Sequence, residues 1–490
     1  MSLGLTIADL SHLDRIEAAM QKNNPRGQFA SIGMKEVIIA ENVLGDLLAV
    51  VSSHIGASGG PTQGAEVRVV VDPVRIKRAG RDLKADVIAL LSQQHSVQVV
   101  ELDDGADVLH ADEAILAAGA DGVRGAHCIV SIGGGTITDI AKIASVRSGV
   151  PVLVAIQTAA SVDGFTDNFS VVLQNGVKKT SLSRWPDAVL ADVRTIAEAP
   201  PRMTAAGMGE MMSMFCAPGD WYLATQLGVD TSFTPVLLEL LSICGEGIED
   251  WSRGLGQGDL ADCESLTKAL SLRGIVTGTG GTTATLSGME HLFSHMLDMV
   301  ASQSHTPMSQ HGAQVGVGSV IAAAAWDVFC ARMTETPLTA RDLAFDLEAE
   351  VSAVRRIFSD LDPSGTIGAE CESRYRAKMT ALQASWPAVA SFFQNWSEHR
   401  KAHDALVFNT EKIVEYLSRA GSAKRFDALV PAPTEDLTRW VIGNCHYMRE
   451  RLTIADLLHL AGWLDAEGVD RIMRRVDQVL AQARGADRAA

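Results

Sequence analysis

The sequence predicts an α/β domain with a parallel, doubly wound sheet over residues 1–200, followed by an all-α domain over residues 201–490. Three observations carry this. Up to about residue 192, short β-branched apolar runs alternate with stretches at helical spacing. One of those runs stops at three consecutive glycines and turns directly into a helical pattern. Beyond residue 200 no convincing strand remains, and apolar residues recur at helical intervals to the end.

Composition bounds the function. A chain of 490 residues with 47% apolar and 5% aromatic content buries a large core. Forty-two basic against fifty-nine acidic side chains leave −17, which excludes nucleic acid and an anionic membrane as partners. The N-terminus lacks a basic stretch followed by an apolar core, and no apolar run reads as a membrane span, so a cytoplasmic location is expected. Seven scattered cysteines without a C-x-x-C pair predict reduced thiols.

Taken in order, residues 1–30 form a polar, partly helical lead-in. Lys35–Ile39 reads as a strand, Val43–Val51 as a helix and Gly56–Gly64 as a loop. Val67–Val71 is a buried strand ended by Asp72-Pro73. An acid at that place either takes the hydroxyls of an adenosine ribose or merely ends the strand. A helix at about 85–93 leads to the strand Val97–Leu102, and another at about 112–118 leads to the strand Cys128–Ile132. Gly133-Gly134-Gly135 follows, with Thr136 or Thr138 available as a helix cap. Glycines there let a ligand approach the backbone, and the amides of the first helical turn favour a pyrophosphate; a tight strand-to-helix turn is the plain alternative. The next strand, Val152–Ile156, exits into small and hydroxyl residues, Gln157 to Asp167. Asn175-Gly176 signals a hairpin, and Ala188–Asp192 is the last strand. The stretch from about 335 to 435 reads as extra solvated helices in the second domain. Leu452–Leu457 repeats Leu5–Leu10, too short to be a structural repeat.

Four of the thirteen histidines lie between 291 and 311. His291 and His295 are four apart, on one face of a helix, and His311 follows after a loop. Two or three imidazoles with one carboxylate suit a divalent metal with an open position. Glu210, a lone acid among small residues and methionines, is the carboxylate of choice, because a buried acid must be paired or ligated. Ordinary surface histidines beside a solvated Glu210 are the alternative.

Five motifs in one order then carry a resemblance: Gly133-Gly-Gly-x-x-x-Asp139-x-Ala-Lys142, Thr158-Ala-Ala-Ser161-Val-Asp163-Gly, Pro200-Pro-Arg-Met-Thr-Ala-Ala-Gly-x-Gly209, Ser287-Gly-x-Glu-His291-x-x-Ser-His295 and His311-Gly-Ala-Gln-Val-Gly-Val-Gly318. Together they resemble the glycerol-1-phosphate dehydrogenases of the iron-containing alcohol dehydrogenase and dehydroquinate synthase-like superfamily, over roughly residues 35 to 330. A weaker echo, His446 to Leu457, is similar to the tail of the bacterial branch. The implied fold is a Rossmann-like domain followed by a helical one.

The resemblance implies NAD or NADP and one divalent metal: zinc first, with nickel or iron as alternatives. Gly133, Gly134, Gly135, Thr136 and Asp139 would hold the cofactor's pyrophosphate and nearby groups. Thr158, Ala159, Ala160 and Ser161 would line the nicotinamide side, and Asp72 would favour NAD. Asp167 stands where the family has a cofactor-contacting Ser. Asp163 would touch substrate, His295 would serve as a proton-relay candidate, and Glu210, His291 and His311 would bind the metal. The implied reaction is hydride transfer between nicotinamide and C2 of dihydroxyacetone phosphate. The expected partners are a small polyol or polyol phosphate and further copies of the chain.

Departures bear on the substrate. Glu210 replaces an Asp ligand, Met214 a polar or basic residue and Gln157 a Pro, and Ala284 falls where the family has an Arg. Between Asp250 and Arg332 the only Lys or Arg side chains are Arg253, Lys268 and Arg273, few for a phosphate clamp. A substrate other than glycerol 1-phosphate is therefore expected, one that lacks the phosphate included. A sugar-phosphate cyclase of the same superfamily is an alternative, since Glu is the ligand there. It is weakened by Ser213 in place of Lys, and by Ala284 and Gly288 in place of Arg and Asn. A non-catalytic member is the third reading.

Overall fold

The computed structural model describes residues 2–489 apart from 107, 175 and 176. The chain packs as two compact units. The first takes in Met1–Gln174, Lys178–Gly207 and Pro235–Gly281, and the second is built mainly from Met208–Thr234 and Thr282–Ala490. A single cut near residue 200 is thus corrected for Pro235–Gly281, which packs with the first unit. The reason lies in the buried Leu266, Leu270 and Ile275 of its long helix, and in Gly274, where a Cβ would stand 2.5 Å from the carbonyl of Asp163.

The first unit is organised on a six-stranded sheet. Its strands are β1 (Glu36–Ala40), β2 (Glu66–Val71), β3 (Ser96–Glu101), β4 (Cys128–Gly133), β5 (Val152–Gln157) and, after a separate two-stranded sheet of β6 (Phe169–Gln174) and β7 (Val177–Leu182), β8 (Ala188–Asp192). The order across the sheet is β1-β8-β5-β4-β2-β3, and every pairing is parallel. The expected Asn175-Gly176 turn lies outside the described residues, though the two strands flanking it do pair.

Helices cover both faces, as parallel strands require. On one face α1 (Leu47–Ala57) and α2 (Leu83–Leu91) pack on Val67, Val69, Cys128, Val130 and Ile132. On the other, α3 (Glu113–Gly122) and α4 (Gly135–Ser148) pack on Val70, Ile129 and Leu153. Alternate residues of β4 therefore serve opposite cores, which is why the run is apolar throughout rather than alternating. The helix expected at 43–51 starts later, at Leu47, and the amide of Val43 donates to the Asp192 carboxylate at 3.3 Å.

Helix α5 (Pro201–Met212) leads toward the second unit, which is helical among its described residues. Its centre is the pair α6 (Met289–Gln303) and α7 (His311–Glu335). Helix α7 is long and apolar enough to cross a membrane by length and composition, contrary to the sequence expectation, but 83% of its most apolar window is buried inside the protein. The extra stretch contributes α8 (Leu347–Phe358), α9 (Thr366–Ala384) and three further helices up to Arg419. They are not merely solvated: Val351, Val354, Phe358, Tyr375 and Met379 are buried. The repeated Leu-Thr-Ile-Ala-Asp-Leu segments turn out to be two copies of one local device. Thr6 with Asp9, and Thr453 with Asp456, each form a capping box at the start of a short helix.

Candidate active site

In the first unit β4 runs into the glycine turn, and α4 begins at Gly135 with Gly134 as its N-cap. Neither threonine caps it. Thr136 is exposed, and Thr138 lies inside the helix with its hydroxyl donating to the Gly134 carbonyl at 3.3 Å. A Cβ at Gly134 would meet nothing within 4 Å, and the 14-residue helix has no side-chain cap, which suits the approach of an anion such as a pyrophosphate. The loop after β5 closes beside them: the Thr158 amide donates to the Gly133 carbonyl at 3.3 Å, Ala159 and Ala160 are buried, and Ser161 is half-buried. Gly207 lets the backbone pass close to the Ala160 carbonyl, which a Cβ would meet at 1.9 Å.

The acids of this rim are all engaged. Asp139 accepts the Val171 amide at 3.0 Å. Lys142, fully buried in α4, donates to the Gly164 carbonyl (2.5 Å), Asp167 Oδ1 (2.7 Å) and the Phe169 carbonyl (2.8 Å). Asp167 is therefore turned inward. Burial pushes its carboxyl up to about 7, Lys142 opposes this, and Asp139 and Asp163 add to it. Asp163 pairs with the buried Arg273 at 3.2 Å. Asp72 follows β2, next to β4 in the sheet, and accepts Lys84 Nζ at 2.7 Å and the Val74 amide at 3.2 Å.

In the second unit Glu210 on α5, His291 on α6 and His311 at the start of α7 each offer one ligand atom, and these atoms lie within 4.8 Å of one another. His291 Nε2 is 3.4 Å and His311 Nε2 3.8 Å from the two Glu210 oxygens. The glycine spacing of the last motif explains the convergence. A Cβ at Gly209 would meet the Gly312 carbonyl at 2.1 Å, and one at Gly318 the Glu290 carbonyl at 2.5 Å, so the three helices approach at backbone contact. Glu210 is 3% and His291 7% exposed, which rules out a solvated acid beside surface histidines.

Hydrogen bonds fix which nitrogens point inward. His291 Nδ1 faces the buried Glu290 carboxylate at 2.9 Å and donates to it, leaving Nε2 directed at Glu210. For His311 a chain of four residues sets the direction. Gln314 Nε2 donates to Asp298 at 2.9 Å, so its carbonyl oxygen accepts the Ser294 hydroxyl at 2.7 Å, and Ser294 must accept from His311 Nδ1 at 2.9 Å. Two imidazole Nε2 atoms and a carboxylate thus converge, a donor set that fits a divalent cation once the rings are neutral. With no cation bound, burial disfavours the His291 imidazolium, but the hydrogen bonds to Glu210 and Glu290 outweigh it and hold its pKa up at about 9, so a cation bound by Nε2 takes the place of a proton. His311, with a side chain 24% exposed, marks the open side. His295 is 4% exposed, its ring centroid 5.5 Å from that of His311, and His295, Asp298 and His311 form a second set of close donor atoms.

Sequence reasoning missed the supports. Glu290 carries no mark in the sequence beyond its place next to the candidate ligand His291. Arg451 is the other omission. Its guanidinium donates to the Ser287 carbonyl and to Thr283 Oγ1 (2.7 Å), bracing the segment where Ala284 stands and from which α6 starts. The echo at 446–457 was its only trace.

A family model described as iron-containing alcohol dehydrogenase matches residues 39–200. The chain is 30% identical over 327 residues to the glycerol-1-phosphate dehydrogenase (NAD(P)+) of Thermococcus kodakarensis, covering 65% of this chain and 87% of that protein. The enzyme of the same name from Pyrococcus furiosus is 30% identical over 333 residues, covering 65% and 88%. Among solved structures, glycerol dehydrogenase from Schizosaccharomyces pombe superposes with a TM-score of 0.54 at 13% identity over 91% of each chain, a likeness of fold alone. At this identity and coverage, the chain belongs to the glycerol-1-phosphate dehydrogenase family.

Proposed function

We propose that the chain is a metal-dependent, NAD(P)-linked dehydrogenase that interconverts a small polyol or polyol phosphate and its ketone, with a substrate altered from glycerol 1-phosphate. The observation that carries the reading is the convergence of Glu210, His291 and His311 with both imidazole Nδ1 atoms held elsewhere. Glu210, His291 and His311 would hold the metal, which when bound would polarise the substrate carbonyl while the nicotinamide carries the hydride. The uncapped amides after Gly134 bind the cofactor's pyrophosphate. His295 is the group placed to hold or pass the proton of the substrate oxygen, and Asp163, fixed by Arg273, orients substrate.

Altered specificity rests on the basic side chains. Arg253 donates to the Glu249 carbonyl, Lys268 pairs with Glu264 at 2.5 Å, and Arg273 pairs with Asp163. Arg451 is committed to Ser287 and Thr283. A panel of polyols, polyol phosphates and their ketones, followed by NAD(P)H absorbance with zinc, nickel and iron supplied in turn, tests the proposal. Turnover of unphosphorylated polyols above that of glycerol 1-phosphate is expected. A specificity constant for glycerol 1-phosphate in the range of about 10⁴ M⁻¹s⁻¹ or more, above those of the polyols, would refute the altered substrate. Glu210→Ala is expected to lose metal and turnover together; full metal content in that variant would show the carboxylate wrongly chosen.

A further inference from the structure

The loop after β2 carries a charge pattern opposite to that of the whole chain. Between residues 72 and 86 stand five basic side chains, Arg75, Lys77, Arg78, Arg81 and Lys84, against three acidic ones, in a protein of net charge −17. Three of the five are committed. Arg78 pairs with Asp192 at 3.0 Å, Arg81 with Asp86 at 2.6 Å, and Lys84 with Asp72 at 2.7 Å. Arg75 and Lys77 are exposed, and their side chains make no hydrogen bond or ion pair among the described residues.

The Asp72–Lys84 pair changes what Asp72 can do. An unopposed carboxylate at the end of this strand binds ribose hydroxyls and repels a 2′-phosphate. Here Lys84 cancels its charge in a mostly buried pair, with side chains 13% and 18% exposed, and spends its other donors on the carbonyls of Asp72 and Val74. The repulsive element is neutralised, and two uncommitted cations follow three and five residues later in the same loop. The loop is anchored: the Ala79 amide donates to Glu198 at 2.7 Å, and Lys77–Arg78 pairs with Arg81–Asp82 in a short ladder.

We propose that the loop from Asp72 to Lys84 is a 2′-phosphate subsite, with Arg75 and Lys77 as its ligands, so that the chain binds NADPH more tightly than NADH. This rests on the dinucleotide site of the proposed function. It also reverses the expectation that Asp72 favours NAD.

The test is titration of the intact, metal-loaded protein with NADPH and with NADH, read by nicotinamide fluorescence at about 50 mM and about 300 mM salt. NADPH is expected to bind at least about tenfold more tightly at the lower salt, the ratio narrowing at the higher. Arg75→Glu with Lys77→Glu, both on the surface, is expected to raise the NADPH Kd by about tenfold or more and the NADH Kd by less than about twofold. NADH binding as tightly as NADPH, or an unchanged NADPH Kd in the double variant, overturns the subsite and leaves the dinucleotide site standing. Binding of neither cofactor overturns both.

Discussion

Glu290 sits at the junction of two buried sets of contacts. One carboxylate oxygen accepts the Gly288 amide at 2.6 Å and His291 Nδ1 at 2.9 Å, and the other accepts the Cys216 thiol at 3.6 Å. It therefore sets the orientation and tautomer of a ligand it never competes with. Glu290→Gln keeps the volume but replaces an acceptor-only group with an amide, so metal affinity is expected to fall by about 10–100-fold in chelator competition while the far-UV spectrum is unchanged. Asp167 gives a pH signature in the first unit. Its folded pKa, about 7, lies above the usual 3.8, so the folded state binds the proton more tightly than the unfolded one. Its contribution to stability is greatest below about 4, and is lost as pH rises to about 7. Asp167→Asn, which cannot titrate, is expected to remove that slope, and denaturant midpoints of the two proteins should differ in pH dependence only across this window. The Glu210-His291-His311 cluster was legible in sequence because chemistry restricts which residue types could hold a metal. Asp167 was legible only as a departure, since nothing local shows that Lys142, twenty-five residues earlier, reaches it.

At the scale of elements, the glycines of Gly207-Met-Gly209 and of His311 to Gly318 specify how closely helices pass. Gly318→Ala would force a methyl against the Glu290 carbonyl at 2.5 Å, where backbone has little room to yield. A loss of about 1–3 kcal/mol is expected in chemical denaturation, with reduced metal content, because the shift acts on the residue next to His291. Strand positions in the sheet were readable to within a residue or two, because strands buried on both faces are written as unbroken β-branched runs. Helix starts were less readable. α1 begins after a loop held by Asp192, from the opposite end of the unit's sequence, and α4 takes its start from backbone geometry although two threonines stood ready.

At the scale of the molecule, a buried lysine is among the ties that join the extra helices to the rest of the second unit. Lys378 on α9 is 1% exposed; it pairs with the buried Asp456 at 2.6 Å and donates to the carbonyls of His446 and Arg451 at 2.6 and 3.2 Å. Lys378→Met would strand the Asp456 carboxylate, and a destabilisation of about 3–5 kcal/mol is expected from the denaturation midpoint. The two-part architecture was legible because the change from strand to helix periodicity is abrupt near residue 200. The return of Pro235–Gly281 to the first unit was not, since a helix carries no mark of which core will bury it. The brace of Arg451 on Ser287 and Thr283 also sets an order in time. A ribosome makes the candidate ligands Glu210, His291 and His311 long before it makes Arg451, so in a nascent chain the segment that begins the helix of His291 is still unbraced when all three are present. Capture of the ion is then expected to follow synthesis rather than accompany it, and chains halted before residue 451 should carry substoichiometric metal.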